Sequence, residues 1–462
     1  MRVSVQMTSQ SEFVETICAI ATPAGRGGVS IIRISGPQAF SLGQLLSRVV
    51  PQPNHAQFCS FRDSEGELID QGLILYFRHP SSFTGEDVVE CHIHGSPVVA
   101  DEILQVLCGA GARLARPGEF SERAFLNDKI DLAQAEAVSD LINSMSSTAA
   151  RHAVRSLRGD FSRRIDTLVE ALVYLRMYVE AAIDFPEEEV DFLNDERICA
   201  RFSNIRMQIK DLLAKAKHGA VLNEGIRVVI IGDPNAGKSS LLNVLAGYDR
   251  AIVTDIAGTT RDLLDMVVTI RGVPVHLTDT AGLRDSQDPI EQEGIKRARD
   301  AMQVADAIVL LIDSSLYETP EFHPIWIELA SSSLGAKTII VMNKIDLLNQ
   351  DPGAFAFHGQ PMLRISVRQG AGLDLIETAL LNQADFMPQE EGGFLARRRH
   401  VDALIRAEQA IDAANLQLHG KRAGELLAED LRTAQDALGE ITGKLSSDDL
   451  LGVIFSSFCI GK

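Results

Sequence analysis

The sequence predicts a multidomain fold that combines α+β, helical and α/β parts. Short apolar runs alternate with Gly and Pro from residue 12 to about 127, which is typical of an α+β domain. No proline lies between Pro117 and Pro186, which favours long helices. A Gly-rich loop occupies 232–239, directly after an apolar run. The predicted domains are an N-terminal α+β domain (1–127), a discontinuous helical domain (128–220 and 387–462), and an α/β domain (221–386) inserted between its two segments.

The N-terminal domain is predicted from three strand-like runs, which are Val29–Ile34, Gly72–Phe77 and Asp87–Ile93. The stretch Pro97–Ala110 has helical character. Strands and helices that alternate in this way predict an α+β layer structure.

The helical domain is predicted from apolar residues at helical spacing on both sides of the insertion. The first segment places Leu168, Leu172, Leu175, Val179 and Ile183 on one face, and the second continues the pattern with Leu404, Ile411, Leu426, Leu431 and Leu438. A domain inserted at an exposed loop is tolerated because domain termini often lie close together.

The inserted domain is predicted from the phosphate-binding loop Gly232–Ser239, which matches G-x-x-x-x-G-K-[ST]. The apolar run Arg227–Ile231 precedes it and the helical stretch Ser240–Ala246 follows. In such a loop Lys238 carries charge to the β- and γ-phosphates, and the Ser239 hydroxyl binds Mg²⁺.

Further motifs follow in the order that a GTPase of the Ras-like fold requires. Thr260 offers a second Mg²⁺ hydroxyl, Asp279–Gly282 offers a carboxylate and an N–H toward the γ-phosphate, and Asn343–Asp346 reads Asn-Lys-Ile-Asp. The Asp346 carboxylate accepts from guanine N1–H and the 2-amino group, a donor pair that adenine lacks. The predicted GTP-binding residues are Asn235, Ala236, Gly237, Lys238, Ser239, Ser240, Ala257, Gly258, Thr259, Thr260, Asp279, Thr280, Ala281, Gly282, Asn343, Lys344, Asp346, Ser366, Val367 and Arg368. A family resemblance described below adds Thr254, Asp255 and Ile256.

These motifs do not identify the residue that orients the attacking water. Ras-type GTPases place Gln directly after Asp-x-x-Gly, whereas this chain has Leu283 there. Either hydrolysis is slow, or another group substitutes. The acids just downstream are Asp285, Asp288, Glu291 and Glu293, and each of them could instead belong to a solvated surface.

The composition of the chain excludes several classes of function. The 462 residues carry 63 acidic and 44 basic side chains and a net charge of −19, so bulk attraction to polyanions is excluded. No apolar run is long enough to span a membrane, and the polar start lacks a signal-peptide core. Six scattered cysteines without C-x-x-C pairs suit a reducing cytoplasm.

The C-terminal sequence Phe458-Cys-Ile-Gly-Lys462 is a second chemical feature. A nearby cation lowers the pKa of a thiol, so Cys459 is a candidate reactive group, although most lone cysteines are inert.

The chain resembles the MnmE (TrmE) family of tRNA-modification GTPases over nearly its whole length. The stretches that carry the resemblance are Ala21–Gly28, Phe83–Asp87, Arg116–Lys129, Asp131–Glu136, Glu180–Pro186, Thr254–Asp262 and the terminal Cys-Ile-Gly-Lys. The chain departs from the family at Ile93-His-Gly-Ser96, where Gly-His-Gly-Gly is usual. It also has Ser366-Val where Ser-Ala is usual, with the Val367 N–H still expected to reach the base.

The resemblance implies an activity, cofactors and partners. It implies a cytoplasmic homodimer joined through a folate-binding N-terminal domain. It also implies a heterotetramer with a flavin- and NADH-using partner, MnmG (GidA), with tRNA bound mainly through that partner. The pair adds an aminomethyl or carboxymethylaminomethyl group at C5 of the wobble uridine. The one-carbon donor is a tetrahydrofolate derivative, in the 5-formyl or 5,10-methylene form.

The resemblance also assigns residues. The implied K⁺ ligands are Asn235, Thr254, the Ile256 carbonyl and Thr259. The implied Mg²⁺ ligands are Ser239 and Thr260. Glu291 matches the water-orienting glutamate, and Cys459 and Lys238 complete the implied catalytic set. The folate positions are Arg33, Glu90, Lys129 and Lys462.

Two other functions are weighed against this one. A GTPase factor for ribosome maturation would carry a KH-like or second G domain, of which the sequence shows neither. A folate-binding protein with a vestigial G domain conflicts with the intact Lys238, Ser239, Thr260 and Asp279.

Overall fold

The computed structural model describes residues 15–184, 196–248, 265–279, 299–384, 386, 393–418, 424–444 and 448–461. The strands in these residues are β1 (Ile17–Ile20), β2 (Gly27–Ser35), β3 (Gln57–Arg62), β4 (Leu68–Phe77), β5 (Val88–Gly95), β6 (Arg113–Leu114), β7 (Ile226–Gly232), β8 (Asp265–Ile270), β9 (Val273–Asp279), β10 (Ala307–Asp313), β11 (Thr338–Asn343), β12 (Gly353–Phe357) and β13 (Gln360–Arg364).

The α-helices in the same residues alternate with these strands or follow them. They are α1 (Ala39–Ser47), α2 (Pro97–Gly109), α3 (Glu119–Leu126), α4 (Leu132–Asn143), α5 (Ser147–Leu157), α6 (Asp160–Asp184), α7 (Glu196–Glu224), α8 (Lys238–Tyr248), α9 (Pro324–Ala330), α10 (Leu373–Gln383), α11 (Arg398–Leu416), α12 (Gly424–Thr442) and α13 (Asp448–Ser456).

The chain divides into two compact units. The first contains the described parts of 1–139, 156–190 and 421–462, and the second contains those of 140–155 and 191–420. The domain boundaries given above stay predictions.

The first unit contains a six-stranded sheet in the order β3-β4-β5-β2-β1-β6, antiparallel except for the β1–β6 pair. Alternation along β2 buries Ile32 and Ile34 under α1 and α2. Arg33 therefore faces the opposite side of the sheet. This second face carries the candidate residues of the first unit.

The helices of the first unit confirm the predicted apolar face of α6. Leu168, Leu172, Leu175 and Val179 are buried, and α6 packs along α12. In α12 the predicted Leu431 and Leu438 are buried, whereas Leu426 is exposed and its neighbour Leu427 is buried in its place.

The second unit contains a seven-stranded sheet in the order β12-β13-β11-β10-β7-β9-β8. Its five inner strands are parallel, and the edge strands β12 and β8 are antiparallel. Every residue of β10 is buried because both faces of the strand are covered by core clusters. Helices α7 and α11 pack together in this unit.

Candidate functional site

Four parallel strands of the second unit end at the same edge of the sheet. β7 ends at Gly232, β9 at Asp279, β10 at Asp313 and β11 at Asn343, with Asp313 and Asn343 directly paired. Ligands of open α/β sheets bind outside the carboxyl ends of the strands. The predicted motifs therefore meet at one candidate nucleotide site.

The phosphate loop between β7 and α8 has the backbone that its glycines predict. Gly232 has φ of 148°, and a Cβ there would lie 2.2 Å from the Leu311 carbonyl oxygen. Asn235 also adopts a left-handed conformation, with φ of 66°. The Lys238 ammonium donates to the Gly232 oxygen at 2.8 Å and to the Asp233 oxygen at 3.1 Å, so it lies across the loop.

Asn343 joins the phosphate loop to the last base-contacting loop. Its Nδ2 donates to the Ala236 oxygen at 2.8 Å, and its Oδ1 accepts from the Val367 N–H at 3.1 Å. A Cβ at Gly237 would lie 2.6 Å from Asn343 Nδ2, which requires glycine at that position. Since the Val367 N–H donates to Asn343, it is not free for the base as the sequence predicts.

Asp346 is oriented by the same loop. The Ser366 hydroxyl donates to Asp346 Oδ1 at 2.6 Å and accepts from the Gln369 N–H at 3.2 Å. Ser366 is itself fully buried and exchanges backbone hydrogen bonds with Ala371. The carboxylate that the sequence predicts to read guanine is thus oriented by the turn that contains Ser366.

The sequence did not reveal a partly buried ion pair that involves Lys344 of the same motif. Lys344 Nζ lies 2.6 Å from Asp313 Oδ2, and Ser315 donates to Asp313 Oδ1 through its N–H and its hydroxyl. Burial raises the pKa of Asp313, but the hydrogen bonds from Lys344 and Ser315 outweigh it and the pKa is lowered. The one sequence signal is that Asp313 ends a buried strand at the ligand edge.

These groups surround a cleft of about 620 Å³. Its lining in the described residues is Asn235, Gly237, Ser240, Asn243, Val244, Asn343, Lys344, Asp346, Leu347, Val367 and Arg368. Predicted phosphate-contacting and base-contacting residues therefore share one cleft. Asn243, Val244 and Leu347 were not predicted.

Several predicted residues lie outside the described residues. They are Thr254, Asp255, Ile256, Ala257, Gly258, Thr259, Thr260, Thr280, Ala281, Gly282, Glu291 and Lys462, together with the alternative acids Asp285, Asp288 and Glu293. For Asp279, the structure describes only its place at the end of β9.

The first unit holds the second group of predicted residues on the outer face of its sheet. Arg33 Nε donates to Glu90 Oε1 at 2.9 Å, and Arg33 Nη1 donates to the Gly461 oxygen at 3.2 Å. The guanidinium carbon lies 5.6 Å from the ring centroids of both Phe83 and Phe120. The structure thus joins Arg33 and Glu90 to the C-terminal motif.

Two glycines allow the C-terminal segment to pack closely against the rest of the first unit. Gly461 has φ of 91°, and a Cβ there would lie 2.2 Å from the Ile20 oxygen. A Cβ at Gly118 would lie 2.3 Å from the Phe455 oxygen, and the Gly118 N–H donates to the Cys459 oxygen at 3.4 Å. Cys459 is exposed, which an accessible thiol requires.

Lys129 lies on a neighbouring loop. Its Nζ donates to the Pro80 oxygen at 2.8 Å, and its side chain packs over Gly85, two residues after Phe83. Among the contacts of the described residues, none joins Lys129 directly to Arg33 or Glu90.

A buried ionic network supports this face and was not predicted. Arg123 and Glu119 are both fully buried and lie 3.2 Å apart, and Arg123 also contacts Glu86 at 3.1 Å. Burial raises the pKa of Glu119, but hydrogen bonds led by that of Arg113 lower it to about 2. Phe120, which stacks against Arg33, lies between Glu119 and Arg123 on α3 in sequence.

Comparison with known proteins identifies the family. A family profile described as the MnmE helical domain matches residues 132–459, and one described as GTP-binding protein TrmE N-terminus matches 16–129. The curated tRNA modification GTPase MnmE of Coxiella burnetii (strain Dugway 5J108-111) is 54% identical over 453 residues, which cover 97% of this chain and 99% of that protein. The corresponding Marinobacter nauticus protein is 53% identical over 451 residues, with the same coverage.

The chain belongs to the MnmE family of tRNA modification GTPases.

Membership in the MnmE family confirms the predicted resemblance, the fold class and the GTPase activity. The MnmE helical profile covers one range, 132–459, that includes the seven-stranded sheet, and the division of the helical domain into two segments stays a prediction. In the described residues, no helix is both long and apolar enough to cross a membrane.

Proposed function

We propose that this chain is a K⁺-dependent GTP hydrolase that acts with a flavin-dependent partner of the MnmG (GidA) type. The pair would add an aminomethyl or carboxymethylaminomethyl group at C5 of the wobble uridine of certain tRNAs. The observation that carries this proposal is the 54% identity over 97% of the chain to a tRNA modification GTPase MnmE.

The nucleotide would be held by the cleft at the strand edge. Lys238 and the N–H groups of the phosphate loop would bind the phosphates, and Asp346 would accept from guanine. The loop keeps a tight backbone course because glycines stand where a Cβ would clash with the Leu311 oxygen or with Asn343 Nδ2, and such a loop before a helix N-terminus suits a phosphate. Mg²⁺ would be held by hydroxyl groups from Ser239 and Thr260.

K⁺ would be held by Asn235, Thr254, the Ile256 carbonyl and Thr259. The left-handed Asn235 lines the nucleotide cleft, which supports its role beside the phosphates. Positive charge there stabilises charge that develops on the transferring phosphoryl group. Glu291 would orient the attacking water in place of the missing glutamine.

Folate would be held on the outer face of the first unit by Arg33, Glu90, Lys129 and Lys462. A tetrahydrofolate derivative in the 5-formyl or 5,10-methylene form would supply the one-carbon unit. The half-buried Arg33 uses Nε and one Nη1 proton in the contacts above, which leaves donors for a carbonyl or carboxylate. Cys459 would lie close to the Arg33–Gly461 contact through its position in the chain.

The assembly would be a homodimer that joins MnmG in a heterotetramer in the cytoplasm. A net charge of −19 disfavours broad electrostatic binding of tRNA, which supports tRNA contact mainly through the partner.

The deciding experiment is nucleoside analysis of tRNA from cells that lack this protein. We expect wobble uridine without the aminomethyl or carboxymethylaminomethyl group, restored by the intact gene. Normal tRNA together with defective ribosomal subunits would overturn the proposal in favour of a ribosome-maturation GTPase.

A further inference from the structure

The phosphate loop carries an acidic side chain where a polyanion must bind. Asp233 directly follows Gly232, and its backbone oxygen accepts from Lys238 at 3.1 Å. Like charges repel over several ångströms, so a carboxylate that turned toward the phosphates would weaken nucleotide binding. The described lining of the nucleotide cleft includes Asn235 and Gly237 and omits Asp233.

The Asp233 carboxylate instead faces two side chains from the segment between β10 and α9. The Tyr317 hydroxyl donates to Asp233 Oδ2 at 3.5 Å, and His323 Nε2 lies 3.4 Å from the same oxygen. Both contacts are long, so each alone is weak. Both groups approach the same oxygen, so the carboxylate points toward Tyr317 and His323.

His323 is a rigid anchor for this contact. Its side chain is 1% exposed, its ring lies 4.9 Å from that of Tyr317, and its oxygen accepts from the Ile327 N–H in the first turn of α9. Burial lowers the pKa of His323 more than Asp233 raises it. Neither ring nitrogen of His323 has a hydrogen-bond partner among the described residues, so the 3.4 Å approach of Nε2 to the carboxylate is a charge–dipole contact and not a formed hydrogen bond.

The other end of the same segment contacts the Asn-Lys-Ile-Asp motif. Asp313, where the segment begins, pairs with Lys344, and the Ser314 N–H donates to the Asn343 oxygen at 2.9 Å. Residues 313–323 therefore contact both the base-reading motif and the phosphate loop.

We infer that Tyr317 and His323 are positioning residues for GTP and GDP binding, which hold the Asp233 carboxylate away from the nucleotide phosphates. Their effect is electrostatic and acts through Asp233. Removing them therefore harms binding only while Asp233 carries its charge.

The test is a double-mutant cycle on the full-length protein, with a fluorescent GDP analogue as the probe. In low salt we expect Tyr317→Phe to weaken binding several-fold, and Tyr317→Phe with His323→Leu to weaken it roughly tenfold. In the Asp233→Asn background the same changes should alter Kd less than twofold. Raising the ionic strength to about 1 M should shrink the loss, because salt screens exposed charges.

The matched control is His323→Gln, which keeps a donor group and should bind nearly as tightly as the unmodified protein. An equal loss in the Asp233→Asn background would make the two residues structural and overturn the inference. So would unchanged affinity of Tyr317→Phe and the double variant. If His323→Leu does not fold, the Tyr317→Phe cycle with Asp233→Asn decides alone.

Discussion

Two residues of the Asn-Lys-Ile-Asp motif have separate roles. The Asn343 amide donates to the Ala236 oxygen and accepts from the Val367 N–H, so this residue joins two loops of the site. Asp346 lines the cleft and is oriented by Ser366, so it remains the group that can read a base. The motif thus combines one scaffold residue with one recognition residue.

Asp346→Asn should exchange guanine for xanthine specificity. The amide offers a donor where guanine presents its 2-amino donor, whereas xanthine presents an oxygen there. The Asn oxygen can still accept from N1–H, but the donor–donor mismatch at the 2-amino group and the loss of the carboxylate charge should lower GTP affinity by roughly 100-fold, and XTP should bind in its place. Competition titrations with GTP and XTP measure this. Ser366→Ala, which only removes the orienting hydroxyl, should lose less GTP affinity and gain no XTP binding.

Asn235→Gly should abolish stimulation of GTP hydrolysis by K⁺ over Na⁺. Glycine tolerates the φ of 66° at this position, so the substitution removes the amide oxygen without strain. Single-turnover hydrolysis in K⁺ and Na⁺ buffers measures the effect, and GDP affinity should change little. Asn349→Gly is the matched control because Asn349 is also left-handed, with φ of 47°, and is not among the described residues that line the cleft. Stimulation that survives in Asn235→Gly would remove Asn235 from the ion site.

At the scale of elements, the candidate nucleotide site is a consequence of parallel strands. β7, β10 and β11 are buried on both faces, so their carboxyl ends align and bring the distant motifs together. The motifs themselves were readable from the chain because each occupies one short loop at the end of such a strand.

Of the two glycines that allow the C-terminal segment to pack closely, Gly461 is the one that contacts the first sheet. Gly461→Ala places a Cβ about 2.2 Å from the Ile20 oxygen at a φ of 91°, which must displace the segment. We expect at least a tenfold loss of 5-formyltetrahydrofolate affinity by calorimetry, with GTP hydrolysis retained. Gly109→Ala is the control, since a Cβ there meets nothing within 4 Å. Normal folate affinity in Gly461→Ala would separate the segment from the folate site.

At the scale of the whole molecule, two buried histidines and one half-buried histidine should lower the free energy of unfolding at acid pH. Burial lowers the pKa values of His152, His218 and His323 from 6.5. The unfolded chain therefore takes up these protons first as the pH falls. The stabilisation is complete above about pH 6.5 and is lost as the pH falls through the lower folded pKa values.

The free energy of unfolding should accordingly decrease between pH 7.5 and 5.5. Urea titrations at each pH measure it, and His218→Phe, which keeps the aromatic contact with Phe386, should reduce the slope. His55→Gln changes an exposed histidine and should leave the slope unaltered. A stability that rises on acidification would contradict this assignment.

The sequence by itself determined those features of the protein that are encoded within a short stretch of residues. The phosphate loop, the Asn-Lys-Ile-Asp motif and the apolar face of α6 each occupy one continuous stretch, so spacing and residue type were enough. Family-specific stretches likewise predicted the MnmE family, which the comparisons confirm.

Only the tertiary structure decided which distant groups meet. The Lys344–Asp313 pair, the Arg123–Glu119–Glu86 network and the Arg33–Gly461 contact join residues that no spacing rule connects. The same holds for the use of the Val367 N–H by Asn343. Such contacts follow from strand order and from the burial of charge, which must find a partner when water is removed, and both are properties of the folded chain.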